Sequence, residues 1–128
     1  MARVLIVDDT DIVRKALELA VKRMGHEAES TSSALTALEL ARVRPPDLAL
    51  LDYRMPEMDG VTLFGAMRNS LGDRCPKVLF VSATRPGEIE AKATPLTRAV
   101  GYVKKPFDLD ALSRAVAEAL AAAASRSG

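Results

Sequence analysis

Three short runs of apolar residues constrain the fold of this chain more than any other feature of its sequence. They occupy residues 4–7, 48–51 and 78–81. Each run is too short for a helix, and none alternates apolar with polar residues as a half-exposed strand does. Strands that are apolar on both faces are typical of parallel sheets covered by helices on either side. The sequence therefore predicts a buried parallel sheet.

The segments around these runs have the periodicity of amphipathic helices. Apolar residues recur every three or four positions in residues 13–24, 34–41, 61–71 and 109–120. Residues 27–31 are polar and fall where the alternation needs another strand, so we place that strand at an edge of the sheet. Residues 99–103 form a weaker apolar run and predict a fifth strand. Alternating strands and helices, joined by right-handed crossovers, predict an α/β fold with helices on both faces of the sheet.

The segment between the fourth and fifth strands departs from this regularity. Pro86 suits the first turn of a fourth helix. Pro95 cannot lie inside that helix without removing a hydrogen bond and clashing with the preceding turn, which costs about 3 kcal/mol. We therefore expect the helix to kink or end near Ala93 or Thr94 and its end to be poorly hydrogen-bonded, although the sequence leaves the conformation of residues 86–101 open.

Composition narrows the class of protein. The 128 residues, of which 48% are hydrophobic, suffice for one domain with its own core, which we place at residues 1–124 with residues 125–128 as a tail. Lys and Arg number 18 against 17 Asp and Glu, so the basic surplus typical of nucleic-acid binding is missing. No apolar run approaches the roughly 20 residues of a membrane span, and the single cysteine, Cys75, suits a reducing compartment. We expect a cytoplasmic protein without membrane insertion.

Acidic, hydroxyl and basic side chains follow the predicted strands at their carboxyl ends. These residues are Asp8 and Asp9 after the first strand, Asp52 after the third, Ser82 at the fourth, and Lys104 and Lys105 at the fifth. Ligands of open α/β sheets bind at this edge. Three neighbouring carboxylates repel one another unless a cation lies among them, and oxygen ligands suit Mg²⁺. A carboxylate can also attack phosphorus, with hydroxyl and ammonium groups as donors to the phosphoryl oxygens.

Four motifs occur in order at these strand ends. They are Val7-Asp8-Asp9, Asp52-Tyr53-Arg54-Met55-Pro56 with Asp59-Gly60, Val81-Ser82-Ala83, and Tyr102 with Lys105-Pro106-Phe107. Together they resemble the receiver domain of response regulators, the phospho-accepting module of two-component signalling. The resemblance extends from residue 3 to about residue 120. It implies a flavodoxin-like, doubly wound, five-stranded parallel sheet in the order 2-1-3-4-5.

The resemblance implies an acceptor and a metal site. Asp52 resembles the phosphorylated aspartate of the family. Asp8 and Asp9 resemble the acidic pair that holds Mg²⁺ together with Asp52 and the backbone carbonyl of Arg54. The phosphoryl donor would be a sensor histidine kinase or a phosphotransfer protein. The chain would then be a switch rather than an enzyme with steady turnover, and its output would be a changed surface for an unidentified protein target.

The remaining motif residues resemble the groups that respond to phosphorylation. Ser82 and Lys105 match the residues that hold the phosphoryl group, and Tyr102 matches the aromatic switch. In the family the peptide bond before Pro106 is commonly cis, which would direct Lys105 into the site. Lys104 would then point to solvent.

Two alternatives remain open at this stage. The segment from Asp9 to Val13 also fits the Asp-x-Asp-x-Val pattern of haloacid-dehalogenase-like phosphatases, but that interpretation leaves Asp52 and its Met-Pro turn unexplained. Steady turnover of a phosphomonoester would favour it. The altered fourth helix keeps open a phosphorylation-independent interaction module on the same fold, which a failure of Asp52 to accept a phosphoryl group would favour.

Overall fold

A computed structural model describes residues 1–127 of the chain, with side chains through residue 122. Strands and helices alternate as the sequence predicts. The elements are β1 (Arg3–Val7), α1 (Asp11–Arg23), β2 (Glu27–Thr31), α2 (Ala34–Val43), β3 (Leu48–Leu51), α3 (Gly60–Leu71), β4 (Lys77–Ser82), α4 (Pro86–Lys92), β5 (Gly101–Lys104) and α5 (Leu109–Ser127). Short 3-10 turns follow α3 at Gly72–Arg74 and α4 at Pro95–Thr97. None of the described helices is long and apolar enough to cross a membrane.

The five strands form one parallel sheet in the order β2-β1-β3-β4-β5. This confirms the predicted doubly wound order. The three apolar strands β1, β3 and β4 lie in the centre, where nearly every residue is buried. The polar strand β2 lies at one edge with no residue fully buried, as its sequence predicts.

Each face of the sheet packs against its own helices. Successive side chains of a strand point to opposite faces, so Leu5 and Val7 pack on the side of α2 and α3, whereas Val4 and Ile6 pack on the side of α1 and α5. Both clusters exclude water almost completely. Burial of this apolar surface on two faces stabilises the sheet and fixes the carboxyl ends of β1, β3 and β4 beside one another.

Polar side chains at the amino ends of three helices fix where those helices begin. Ser33, Asp59 and Asp108 each accept a hydrogen bond from a backbone N–H in the first turn of α2, α3 and α5 respectively. Helix α1 differs, because Thr10 is its N-terminal cap and makes no such side-chain bond. Asp9 is therefore left free of a capping role.

Helix α4 ends at Lys92, which confirms that Pro95 stops it near Ala93. The N–H groups that follow this end nevertheless have side-chain acceptors. The Thr94 N–H donates to Oγ1 of Thr97 at 2.8 Å, and the Leu96 N–H donates to Oγ1 of Thr94 at 3.2 Å. This reciprocal capping box begins the turn at Pro95–Thr97 and satisfies N–H groups that lie beyond the end of α4.

The ends of the last two elements differ from the predicted bounds. Because the turn at Pro95–Thr97 and its exit occupy the preceding residues, β5 begins at Gly101 rather than at residue 99. Helix α5 continues to Ser127 and so includes three residues that we assigned to a tail. The fourth, Gly128, lies outside the described residues.

Candidate functional site

Three carboxylates gather at the carboxyl edge of the sheet. Val7 pairs with Leu51 in the ladder between β1 and β3, so the residues that follow these strands, Asp8 and Asp52, are neighbours. One oxygen from each of Asp8, Asp9 and Asp52 lies within 4.8 Å of the others. Asp8 and Asp52 are 1% and 7% exposed, whereas Asp9 is exposed to solvent. Two of these charges are therefore removed from most of the water that would otherwise screen them.

Lys105 bridges the two buried carboxylates. Its Nζ donates to Oδ2 of Asp8 at 2.7 Å and to Oδ2 of Asp52 at 2.9 Å. The Lys105 backbone N–H donates to the carbonyl of Ser82 at 2.9 Å, which continues the ladder between β4 and β5 beyond its last pair. The Lys105–Pro106 peptide bond is cis. Lys104, one residue earlier, is exposed.

Burial and the bridging bonds shift the pKa of both partners. Burial raises the pKa of Asp8, although the hydrogen bonds from Lys105 and from the Thr10 N–H oppose that effect. Burial lowers the pKa of Lys105, but the hydrogen bonds to Asp8 and Asp52 outweigh it, and the net pKa lies above the ordinary value. A lysine beside two carboxylates thus stays protonated at neutral pH and offers its N–H groups to oxygen ligands.

An open cleft of about 620 Å³ lies over the carboxylates. Its walls include Asp9, Asp52, Arg54, Ser82, Thr84 and Lys105. Ser82 is buried at the end of β4, and its Oγ accepts a hydrogen bond from the Thr84 N–H at 3.2 Å. The hydroxyl, the ammonium and the carboxylate therefore share one cleft, and a group bound at Asp52 would meet donors on its other sides.

Tyr102, which resembles the aromatic switch of the family, does not line this cleft. It is half-buried, its ring stacks on Phe80 with centroids 6.0 Å apart, and it lines a separate cavity beside Pro95 and Arg98. Burial, and then the nearby charge of Glu90, raise its pKa. Phe80 belongs to the same strand as Ser82, two residues away, so the ring stack joins the strand end at the cleft to the cavity at Tyr102.

A glycine, Gly60, lies at the end of the loop from Asp52 to α3. The Gly60 N–H donates to the carbonyl of Tyr53 at 2.7 Å, and Gly60 is buried against Asp52. A Cβ on Gly60 would lie 2.4 Å from the carbonyl oxygen of Asp52 and 2.8 Å from a ring carbon of Phe80. This close approach explains why glycine follows Asp59 in the motif: a side chain would force Asp52, at the end of β3, away from α3.

Sequence reasoning missed two residues that position the site. Arg14 on α1 donates from its guanidinium to the carbonyl of Asp8 at 2.8 Å. Glu57, in the loop after Asp52, accepts hydrogen bonds from the Ala34 N–H at 2.7 Å and from the hydroxyl of Ser33 at 3.0 Å, so it ties this loop to the start of α2. A charged residue on a polar helix face or in a polar loop carries no periodic signal, and only the assembled fold reveals its partner.

The geometry agrees with comparisons to known proteins. The sequence model of the response regulator receiver domain matches residues 4–117. The regulatory protein AtoC of Escherichia coli is 43% identical over 119 residues, which are 92% of this chain and 25% of that protein. The transcriptional regulatory protein CseB of Streptomyces avermitilis is 37% identical over 105 residues, 82% of this chain and 43% of its own length. The chain thus spans less than half the length of either relative.

Solved structures give the same result for the fold. A CheY-like response regulator receiver domain protein from Methanospirillum hungatei superimposes with a TM-score of 0.86 at 24% identity, covering 98% of each chain. A family match over most of the sequence, a common strand order and the motifs at the strand ends agree with one another. The chain therefore belongs to the response regulator receiver domain family of two-component signalling.

Proposed function

We propose that Asp52 accepts a phosphoryl group from a phosphohistidine of a sensor histidine kinase or phosphotransfer protein, and that the chain acts as a phosphorylation-controlled switch. One observation carries this proposal. The Asp52 carboxylate, 7% exposed, lies at the floor of the open cleft with the Lys105 ammonium at 2.9 Å. A buried carboxylate with an adjacent donor group and access from one side is suited to attack phosphorus.

The transfer forms one bond and breaks another. An oxygen of the Asp52 carboxylate attacks the phosphorus, the P–N bond to the donor histidine breaks, and its electron pair remains on the imidazole nitrogen. The products are an aspartyl phosphate and a neutral histidine once that nitrogen takes up a proton. Lys105, already 2.9 Å from Asp52 Oδ2, would donate to a phosphoryl oxygen, and the Ser82 hydroxyl lines the same cleft as a second donor.

The donor set fits Mg²⁺. Three carboxylates, each with an oxygen within 4.8 Å of the others, face one ammonium group, so the cluster carries excess negative charge. Hard oxygen ligands of this kind match Mg²⁺, which would be held by Asp8, Asp9, Asp52 and the backbone carbonyl of Arg54. When bound, the ion would neutralise charge on the transferring phosphoryl oxygens. Asp9 is exposed and makes no capping bond, which leaves its carboxylate available.

The phosphoryl group would change the surface through β4 and β5. It adds about −1.5 to −2 charges beside Ser82 and Lys105, and a shift of Ser82 toward it would move the strand that also carries Phe80. Tyr102 stacks on Phe80 and lines the cavity beside α4, so its packing would respond. The output would be a changed surface for a protein target. The relatives AtoC and CseB are longer regulatory proteins, of which this chain matches 25% and 43%.

A phosphodonor assay tests the proposal. The chain is incubated with acetyl phosphate, with Mg²⁺ or with excess EDTA, and the intact mass is measured. We expect one phosphoryl adduct in Mg²⁺, none in EDTA and none in Asp52→Asn. Asp73→Asn, which removes an exposed carboxylate elsewhere, is the matched control and should accept the group normally. An adduct that persists in Asp52→Asn or forms equally in EDTA would contradict the proposal. A parent chain that takes up no phosphoryl group would contradict it too, and would favour a phosphorylation-independent module.

A further inference from the structure

Another, smaller cavity lies at the opposite edge of the sheet from Asp52. Its volume is about 230 Å³, and it lies among the end of α3, the start of β4 and the turn at Pro95–Thr97. We call it the basic pocket, because the charged residues that line it are Arg68, Lys77 and Arg98 and none of its lining residues is acidic. The other lining residues are Phe64, Cys75, Pro76, Pro95 and Leu96.

Two of the three positive charges of the basic pocket belong to the arginines Arg68 and Arg98. Among the residues that the structure describes, neither Arg68 nor Arg98 forms an ion pair with a carboxylate. Arg68 is half-buried, so its guanidinium is less screened by water than that of an ordinary surface arginine. Like charges around one small cavity raise its electrostatic potential, and an anion would lower it.

The apolar side chain of Leu96 lies beside these charged residues. Leu96 is 64% exposed, although the Thr94–Thr97 capping box holds its backbone in place and the next residue, Thr97, is buried. The next apolar residues of the wall, Phe64 and Pro76, are buried. Arginine is enriched in the surfaces that bind other proteins, and Leu96 adds an exposed apolar side chain on a fixed turn beside the arginines of the pocket.

We propose that the basic pocket binds an acidic, apolar peptide segment of a partner protein, with a carboxylate between the basic side chains and an apolar side chain against Leu96. The volume favours this occupant, because pockets for nucleotides and similar ligands measure about 300–1,000 Å³, whereas about 230 Å³ admits one or two side chains. The proposal does not depend on phosphorylation of Asp52, which lies at the other edge of the sheet.

A titration with a synthetic peptide tests this inference. The probe is a short peptide in which aspartate alternates with leucine, added at up to millimolar concentration to the full chain while the ¹⁵N–¹H spectrum is recorded. We expect saturable shifts centred on Arg68, Lys77 and Leu96. Peptides with asparagine for aspartate, or serine for leucine, should bind at least about tenfold more weakly, because each loses one of the two interactions.

Variants locate the site. Arg68→Gln, Arg98→Gln and Leu96→Ser should each weaken the aspartate-leucine peptide about tenfold. Arg74→Gln and Leu35→Ser make the same changes at exposed residues outside the pocket and should leave affinity within about twofold of the parent. Melting curves of every variant check that it is folded, and Asp52→Asn should bind the peptide normally even though it would abolish phosphorylation.

Three outcomes would overturn the inference. The first is that the peptide gives no saturable shifts. The second is that the control variants weaken binding as much as the pocket variants do, which would indicate general charge attraction. The third is that inorganic phosphate produces the same shifts at the same concentration, which would assign the pocket to a small anion instead of a peptide.

Discussion

Replacing Gly60 by alanine should damage both the fold and the acceptor site. Gly60 is the first residue of α3, and its backbone packs directly on the carbonyl of Asp52. A Cβ there would stand 2.4 Å from that oxygen and 2.8 Å from Phe80, both shorter than real Cβ contacts. The strand end cannot retreat freely, because the Asp52 N–H is bonded to the carbonyl of Val7 at 3.0 Å. Part of the overlap must therefore be absorbed as strain.

Overpacking of this kind costs about 1–3 kcal/mol. At about 2.1 cal/mol/K per residue, the unfolding entropy of 128 residues is about 0.27 kcal/mol/K. The melting temperature of Gly60→Ala should therefore fall by about 4–11 °C. Gly65, in the same helix, is the matched control. Its nearest neighbour for a Cβ lies 3.9 Å away, so Gly65→Ala should gain about 0.5–1 kcal/mol from helix propensity and melt about 2–4 °C higher.

The assay is thermal unfolding followed by circular dichroism, with acetyl phosphate labelling of the same samples. We expect Gly60→Ala to be labelled more slowly than the parent below its melting temperature, since the strain falls on the residue that carries the carboxylate. Gly65→Ala should be labelled at the parental rate. If Gly60→Ala is as stable as Gly65→Ala, the tight contact between α3 and Asp52 is wrong, and so is our account of the Asp-Gly motif.

Two further predictions follow from the contacts of the site. Lys105→Ala should accept phosphate yet lose the accompanying change in Tyr102 fluorescence. Lys104 is exposed, so Lys104→Ala should retain that change. The reverse result would mean that Lys104, and not Lys105, couples the site to Tyr102. Glu57→Gln weakens the two hydrogen bonds between the loop after Asp52 and the start of α2, so it should lower the free energy of unfolding in urea by about 1 kcal/mol. Glu39 forms an exposed ion pair, and Glu39→Gln should change the free energy of unfolding by less than about 0.5 kcal/mol.

The buried parallel sheet, its polar edge strand and the convergence at the carboxyl edge could be predicted because each has a local signal, whereas the order of the strands came from the resemblance to receiver domains. Four-residue apolar runs predict central strands, and the residue after a central strand must lie at the sheet edge. Pro95 likewise predicted the end of α4. In each case the local structure depends on a few consecutive residues with strong preferences for burial or for a backbone conformation.

The unpredicted features depend on residues that meet only in the folded chain. Thr94 and Thr97 were expected to lie in a weak helix end, and their capping box depends on side-chain geometry within a turn that begins with proline. Arg14 and Glu57 bind backbone groups of residues 6 and 23 positions away. The basic pocket joins three separate segments, so neither spacing nor composition indicates it.

The cost of burying charged carboxylates should lower the stability of the metal-free protein. Asp8 is 1% exposed, and burial raises its pKa, so the folded chain holds this proton to higher pH than the unfolded chain does. Stability from this group is therefore greatest at acid pH and falls as pH rises through the folded pKa. At neutral pH, Asp8→Asn removes one of three clustered charges and leaves Lys105 paired with Asp52.

We therefore expect metal-free Asp8→Asn to melt at or above the temperature of the parent at neutral pH. Mg²⁺ at ten times its Kd should stabilise the parent by about 1.4 kcal/mol, which is about 5 °C, and should leave Asp8→Asn unchanged because a ligand has been lost. Asp47→Asn controls for the loss of a carboxylate elsewhere and should keep the Mg²⁺ response. If Asp8→Asn melts well below the metal-free parent, the bond to Lys105 outweighs the cost of burying the charge, and the cluster is stable without a cation.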